Sequence, residues 1–226
     1  MDIKTISSSS KGCCYVVEDG GKQLIIEAGV SINKLREALD FDFSKVAGCL
    51  ISHRHGDHCQ YANQYENSGI KIWAPKGVIL QNHLLTAHCI EDYPRVKIGG
   101  VFSCLAIELE HDVKTYGFLI ESGEEKLLYV TDTGSISNYF PGLTHLMIEA
   151  NHSLESLIAT EQNKKLVERI ADNHLDIDQA VQFAEKHKSD LVEVHLIHLS
   201  DLNSDAELFK NQMTGVLGVP VYISDK

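Results

Sequence analysis

Apolar residues in this chain come in short runs separated by turn-forming residues, and the spacing predicts alternating strands and helices. "CCYVVE" (13–18) and "KQLIIEAG" (22–29) flank Asp19-Gly20-Gly21. Those glycines supply the positive φ a tight turn needs, so the pair reads as a hairpin. "SINKLREAL" (31–39) reads as a helix with Ser31 as its cap. "KVAGCLIS" (45–52) is a continuous apolar run, the mark of a strand buried on both faces. "PKGVILQNHLLTAH" (75–88) predicts a helix starting near Pro75. Four strand-like runs follow: "VFSCLAIELE" (101–110), "YGFLIES" (116–122), "KLLYVTD" (126–132) and "THLMIEA" (144–150). Helices are predicted over 153–172 and 176–188, then a strand "DLVEVHLIHLS" (190–200), a helix "DAELFKNQM" (205–213) and a last strand "PVYIS" (220–224). Strands dominate the first half and mix with helices in the second. That order predicts two sheets with helices outside them rather than a single parallel sheet.

Composition narrows the picture. At 226 residues the chain is long enough for one sizeable core, and a single domain over 1–226 is the expectation. Its 43% hydrophobic and 23% charged content is that of an ordinary globular protein. No run of about 18 apolar residues predicts a membrane span. The opening "MDIKTISSSSKG" lacks the apolar core of an export signal, so a cytoplasmic location is expected. Six cysteines show no C-x-x-C spacing and are read as reduced, small hydrophobes. The net charge of −12 argues against a wide basic footprint of the kind that grips duplex nucleic acid by charge alone. It leaves room for a nucleic-acid enzyme, because bound cations reverse the field locally. No obligate protein partner is evident.

The densest chemistry is in "LISHRHGDHC" (50–59). His53, His55, Asp57 and His58 fall within six residues, directly after an apolar run. In an extended segment alternate residues point the same way, so His53 and His55 can share one ion. Asp57 and His58 sit where the chain turns and can reach past it to a second. Imidazole with carboxylate suits zinc, with manganese, iron or nickel as alternatives. Three more ligand types close apolar runs elsewhere: His111 after "LAIELE", Asp132 after "LLYV" and His198 after "VEVHLI".

With these residues the chain resembles the metallo-β-lactamase superfamily, through "HRHGDH" as its H-x-H-x-D-H signature and through His111, Asp132 and His198 in the expected order. The resemblance implies an α/β (α+β) four-layer αββα sandwich, two mixed β-sheets flanked by helices. It implies two divalent metal ions: one held by His53, His55 and His111, the other by Asp57, His58 and His198, with Asp132 bridging. Within the superfamily the chain is similar to the YycJ/WalJ-type branch of DNA exonucleases. "SSSSKGCCY" resembles that branch's Ser-rich loop, "IEANHS" its E-A-N-H segment and "HLSDLNSD" its H-L-S segment. "NHLDIDQAVQFA", with His174, resembles its G-H-L-S segment. The chain departs from the pattern at Cys13, where the branch has Asn, at Asn173, where it has Gly, and at Glu27, where the superfamily has Asp. Glu27 is still expected to orient a ligand histidine from behind.

What the resemblance implies chemically is hydrolysis by a water held between the ions, which loses its proton near neutral pH. Asp57 is a candidate to accept a proton from that water. His174 and His152 are the candidate donors to the leaving group, although each also fits a plain supporting role. Ser8, Ser9 and Ser10 are expected to bind phosphate through backbone N–H and hydroxyl groups, and Asn203 likewise. His83 and His88 are read as packed or solvated on their helix, and His145, His187 and His195 as structural or surface groups. The leading reading is a dinuclear metal hydrolase acting on phosphodiesters at DNA ends. The alternatives are a thioesterase, a lactonase or an RNA-processing enzyme on the same scaffold, or a metal-stabilised binding module without chemistry. β-Lactam cleavage is not expected in a chain without an export signal.

Overall fold

The computed structural model describes residues 1–159 and 163–224. Two sheets face each other. The first has six strands in sequence order: β1 (Asp2–Ser7), β2 (Cys14–Asp19), β3 (Lys22–Ile26), β4 (Val46–Leu50), β5 (Ile72–Ala74) and β6 (His88–Cys89). It is antiparallel from β1 to β3 and parallel from β3 to β6. The second has seven: β7 (Arg95–Ile98), β8 (Phe102–Leu109), β9 (Thr115–Ser122), β10 (Glu125–Val130), β11 (His145–Glu149), β12 (Glu193–Ile197) and β13 (Val221–Ile223). It is antiparallel from β7 to β10 and parallel from β10 to β13. Helices α1 (Ile32–Ala38), α2 (Gly56–Cys59), α3 (Ala62–Asn67) and α4 (Lys76–Gln81) belong to the first half. Helices α5 (Leu154–Ala159), α6 (Lys164–Asn173), α7 (Ile177–Glu185) and α8 (Ala206–Leu217) belong to the second.

Side-chain alternation explains the layers. Leu127 and Tyr129 point between the sheets and pack with Tyr15, Leu24, Ile26, Leu50, Phe118 and Met147. Leu128 and Val130, one residue out of phase, pack outward under α7 and α8 with Phe183, Phe209 and Met213. On the first sheet, Val16, Ile25 and Cys49 pack outward with Leu35, Tyr65 and Val78 of α1, α3 and α4. Both faces of each sheet are covered, so the central strands read as continuous apolar runs. The result is the expected αββα sandwich. Each fully buried large side chain in it contributes roughly 1.5–3 kcal/mol. Among the described residues, no helix is long and apolar enough to cross a membrane.

Several boundaries differ from the sequence reading. The helix expected over 75–88 stops at Gln81. The backbone turns left-handed at His83 (φ 52), and the Glu66 carboxylate accepts the Leu85 and Thr86 amides. His88 therefore lies in a two-residue strand, not on a helix. The helix expected over 153–172 is two helices, α5 and α6. Asn163 starts the second by accepting the Lys165 amide at 2.9 Å, and residues 160–162 of that expectation lie outside the described ones. The strand expected over 190–200 shrinks to Glu193–Ile197 because His198 adopts φ 53, which ends the ladder. β1, β5, β6 and β7 had no counterpart in the pattern. They are two- to four-residue strands, or in the case of β1 a sheet edge with an alternating exposed face. The cap expected at Ser31 holds, and Asp176 caps α7 in a reciprocal box with Gln179.

Candidate metal centre

In both sheets the parallel strands end at the same rim, and ligands bind outside the carboxyl ends of such strands. Glu27 follows β3, His53 follows β4, Asp132 follows β10 and His198 follows β12. Glu149 is the last residue of β11, and His111 lies just beyond β8, which runs in the same direction as β10. After His53 the chain bends through Arg54 to His55, the N-cap position of α2. The helical turn then swings Asp57 and His58 to the far side of the rim.

Three imidazoles form the first group. His53 Nε2 lies 3.1 Å from His55 Nδ1, and His111 Nε2 lies 3.3 Å from the same atom. Ligand nitrogens around a tetrahedral ion with 2.0–2.1 Å bonds stand about 3.3 Å apart. Each ring is aimed from behind. His53 Nδ1 meets Ser52 Oγ at 2.9 Å, and His111 Nδ1 faces the Asn173 carbonyl at 3.1 Å. Burial holds His53 well below its usual pKa, in the neutral form a metal ligand requires.

The second group is Asp57, His58 and His198. Asp57 Oδ2 lies 3.5 Å from His58 Nε2 and 3.3 Å from His198 Nε2. Glu27, wholly buried, sits 3.4 Å behind His58 Nδ1. It accepts hydrogen bonds from Tyr129 Oη at 3.0 Å and the Ser52 amide at 3.2 Å. Burial opposes charge on His58 and His198, but Asp132 and the other acidic groups around them outweigh it and raise both. Such a field collects protons where a dication would satisfy it as well. His58 Nδ1 and Nε2 and His198 Nδ1 are buried without a hydrogen bond. Buried His58 Nε2 and His198 Nδ1 without a hydrogen bond, both facing Asp132 Oδ1, fit a cation site.

Asp132 stands between the groups. Its Oδ2 is 3.8 Å from both His53 Nε2 and His111 Nε2. Its Oδ1 is 3.4 Å from His58 Nε2 and 3.6 Å from His198 Nδ1. One oxygen thus faces each set of imidazoles. Burial raises the cost of its charge, yet His198, His58 and His53 hold the carboxyl well below the usual range.

The family model described as the β-lactamase superfamily domain matches residues 23–199, most of the chain and nearly all of this constellation. The chain belongs to the β-lactamase superfamily. It is a metal-dependent hydrolase of that superfamily, and its His/Asp cluster could hold divalent metal. Its sequence is 25% identical over 240 aligned positions to exodeoxyribonuclease WalJ of Streptococcus pneumoniae serotype 2, covering 94% of this chain and 86% of that one. Its fold is similar to that of YhfI, a metallo-β-lactamase fold protein of Bacillus subtilis. There the TM-score is 0.75 at 18% identity, over 98% of this chain and 95% of that one. Human tRNase Z, short form, gives a TM-score of 0.68 at 14% identity, over 100% and 97%.

The other residues singled out from the sequence separate in space. His174 reaches the superfamily cleft, a space of about 760 Å³ that Asp57, His111, Asp132 and His198 also line. Its Nδ1 is 3.0 Å from Glu149 Oε2, and its ring stacks on His198 at 5.7 Å. Burial pulls its pKa down, but Glu149 outweighs burial and raises it. His152 is buried behind the rim and is not among the lining residues. Ser10 faces the cleft. Ser8 is buried, its hydroxyl accepting the His198 amide at 2.9 Å and meeting Tyr15 Oη at 2.7 Å. Ser9 is buried, and its carbonyl accepts the Gly12 amide. Asn203 is buried away from the lining, its carbonyl accepting the Ser153 amide. The sequence reading missed Glu149 as a partner of His174, although it lies in the quoted "IEANHS". It also missed Asp112, whose Oδ1 is 3.3 Å from both His55 Nε2 and His111 Nε2. Being next to His111 was the signal that could have found it. Arg169, 3.3 Å from Asp112, lines the cleft as well.

Proposed function

We propose that the protein hydrolyses DNA phosphodiesters from a strand end with two divalent cations, zinc in the first instance. His53, His55 and His111 would hold one, and Asp57, His58 and His198 the other. Asp132 is the shared ligand, and its two oxygens facing different imidazole sets carry this reading. When bound, the cations supply Lewis acidity toward the phosphoryl oxygen and activate the attacking water. The remaining work falls to the chain. Asp57 accepts a proton at the rim. His174, whose Nδ1 is 3.0 Å from Glu149 Oε2, is placed to donate a proton to the leaving oxygen. His152, buried behind the rim, would then act by supporting that segment. Ser10 and Arg169 border the cleft where the neighbouring phosphate would lie, and Ser8 and Ser9 shape that loop from below.

DNA is preferred over other esters because the aligned relative is named an exodeoxyribonuclease and matches almost the whole chain. With a net charge of −12, few phosphates would be neutralised outside the cleft, so affinity should fall only gently with salt. The test compares end-labelled linear DNA, a closed circle, an RNA of the same sequence and a thioester, at equal protein and metal. End-dependent DNA cleavage that chelator abolishes without unfolding the protein is expected. Faster RNA cleavage would move the assignment to RNA processing. Rapid thioester or lactone turnover without DNA cleavage would overturn it.

A further inference from the structure

Cys13 has no part in the reaction above, yet its thiol stands inside the cluster. The side chain is wholly buried. Its Sγ, one ring nitrogen of His58 and one of His198 all lie within 4.8 Å of one another. Around a tetrahedral ion with a metal–sulfur bond of about 2.3 Å and metal–nitrogen bonds of about 2.0–2.1 Å, sulfur and nitrogen stand about 3.6 Å apart. Drawing in to that separation would let the three atoms share one cation. The thiol donates to the Ser9 carbonyl at 3.4 Å.

The imidazoles give the independent sign. His58 Nε2 and His198 Nδ1 are buried without a hydrogen bond, on residues 0% and 6% exposed. The backbone also brings Cys13 here by construction. Its amide donates to Asp57 O at 2.7 Å, and its carbonyl accepts the Gly29 amide at 2.9 Å. A Cβ on Gly29 would fall 1.8 Å from Asp57 O and 2.5 Å from Cys13 N, so only glycine permits this approach. Cys14 is the internal contrast. Equally buried, it points to the other face of the strand, where its sulfur meets Tyr65 Oη at 3.6 Å within the apolar layer.

We infer that Cys13 is a thiolate ligand of the second cation, beside His58 and His198. That position then selects thiophilic cations such as zinc over hard ones such as manganese or magnesium. On binding, the S–H bond breaks and the proton leaves through the cleft to solvent. The sulfur donates its electron pair to the cation, and nothing is oxidised or reduced. The inference rests on the two-cation reading, and its test separates the two.

The full-length protein, stripped by chelator and dialysed, is titrated with cobalt(II) alone. Two equivalents should bind, with a near-ultraviolet thiolate-to-cobalt charge-transfer band. The band should vanish in Cys13→Asn and Cys13→Ser and persist in Cys14→Ser. Zinc affinity of the second position in Cys13→Asn should fall at least about tenfold, with manganese affinity nearly unchanged. Zinc-edge X-ray absorption of the unmutated protein keeps the test independent of how the variants fold; one sulfur per two zincs is expected. Two bound cations with no sulfur ligand, or a band of full strength in Cys13→Asn, would overturn the role of Cys13 and leave the two-cation reading standing. Fewer than two cations at saturation would overturn both.

Discussion

The two candidate ligand groups share imidazoles, but only the second includes a carboxylate, and what stands behind them differs. The first is three imidazoles at the rim, with His55 29% exposed along its side chain; Ser52 Oγ and the Asn173 carbonyl aim His53 and His111, and the half-exposed Asp112 carboxylate lies 3.3 Å from His55 and His111. The second is deeper and anionic: His58 is wholly buried, Glu27 stands behind it, and Asp57 faces it. It also rests on strained backbone. Glu27 and His198 sit at φ 69 and φ 53 without being glycine, which costs each about 1–2 kcal/mol. Strain of this kind survives only where the surroundings over-determine it. The first group should therefore behave as a local motif that tolerates change around it. The second should couple metal binding to the packing of three separate segments.

The largest effect should come from the residue the groups share. Asp132→Asn removes the charge between two dications at almost constant size. Changes behind a ligand cost 10–100-fold, so loss of the shared ligand should cost more than about a hundredfold in activity, with one cation lost by elemental analysis. Two cations and near-normal turnover would show that the groups are independent.

Next comes His174, whose ring contacts both groups, at 5.6 Å from the His111 ring and 5.7 Å from the His198 ring. His174→Ala should slow turnover by roughly a hundredfold or more while both cations stay bound. Loss of a cation instead would make His174 part of the ligand shell rather than a proton donor.

Glu27→Gln tests the asymmetry directly. It should weaken the second position by about 10–100-fold and leave the first unchanged, read by competitive chelator titration. Equal weakening of both would erase the distinction drawn above.

The smallest effect concerns an imidazole outside both groups. His187 Nε2 accepts the Phe140 amide at 3.0 Å, and its Nδ1 donates to the Phe183 carbonyl at 3.0 Å. Only the neutral ring makes both bonds, and burial lowers its pKa. A base whose folded pKa is depressed contributes its stability above the unfolded value and loses it as pH falls from there. The loss should begin near pH 6.5, at about the unfolded value. His187→Gln, which cannot titrate, should show a smaller drop in Tm across that range, at a baseline cost of roughly 1–3 kcal/mol for the disturbed hydrogen bonds. An unchanged drop would assign the acid sensitivity to the ligand groups instead.

Much of this was legible along the chain, and the exceptions have physical causes. Apolar runs in β8, β9 and β10 mark strands because both faces of their sheet are covered. The three residues of β5 and the two of β6 are too short to make such a run. The helix read through His83 and His88 fails because Glu66, about twenty residues earlier, captures the Leu85 and Thr86 amides. No local propensity encodes that bond. Glu149 and His174 lie 25 positions apart and meet only because β11 ends beside the start of the α7 segment.

By itself the sequence determined the candidate ligands that lie close along the chain, His53 and His55 with Asp57 and His58 just past them. It also determined that His111, Asp132 and His198 close apolar runs. Which oxygen of Asp132 faces which imidazoles was decided by tertiary structure alone. So were the approach of Cys13 to His58 and His198 and the burial of Ser8 against the His198 amide. The reason is distance along the chain: Ser8 and His198 are 190 residues apart. Contacts of that span are set by strand order across two sheets and by how those sheets stack, and no window of sequence contains either.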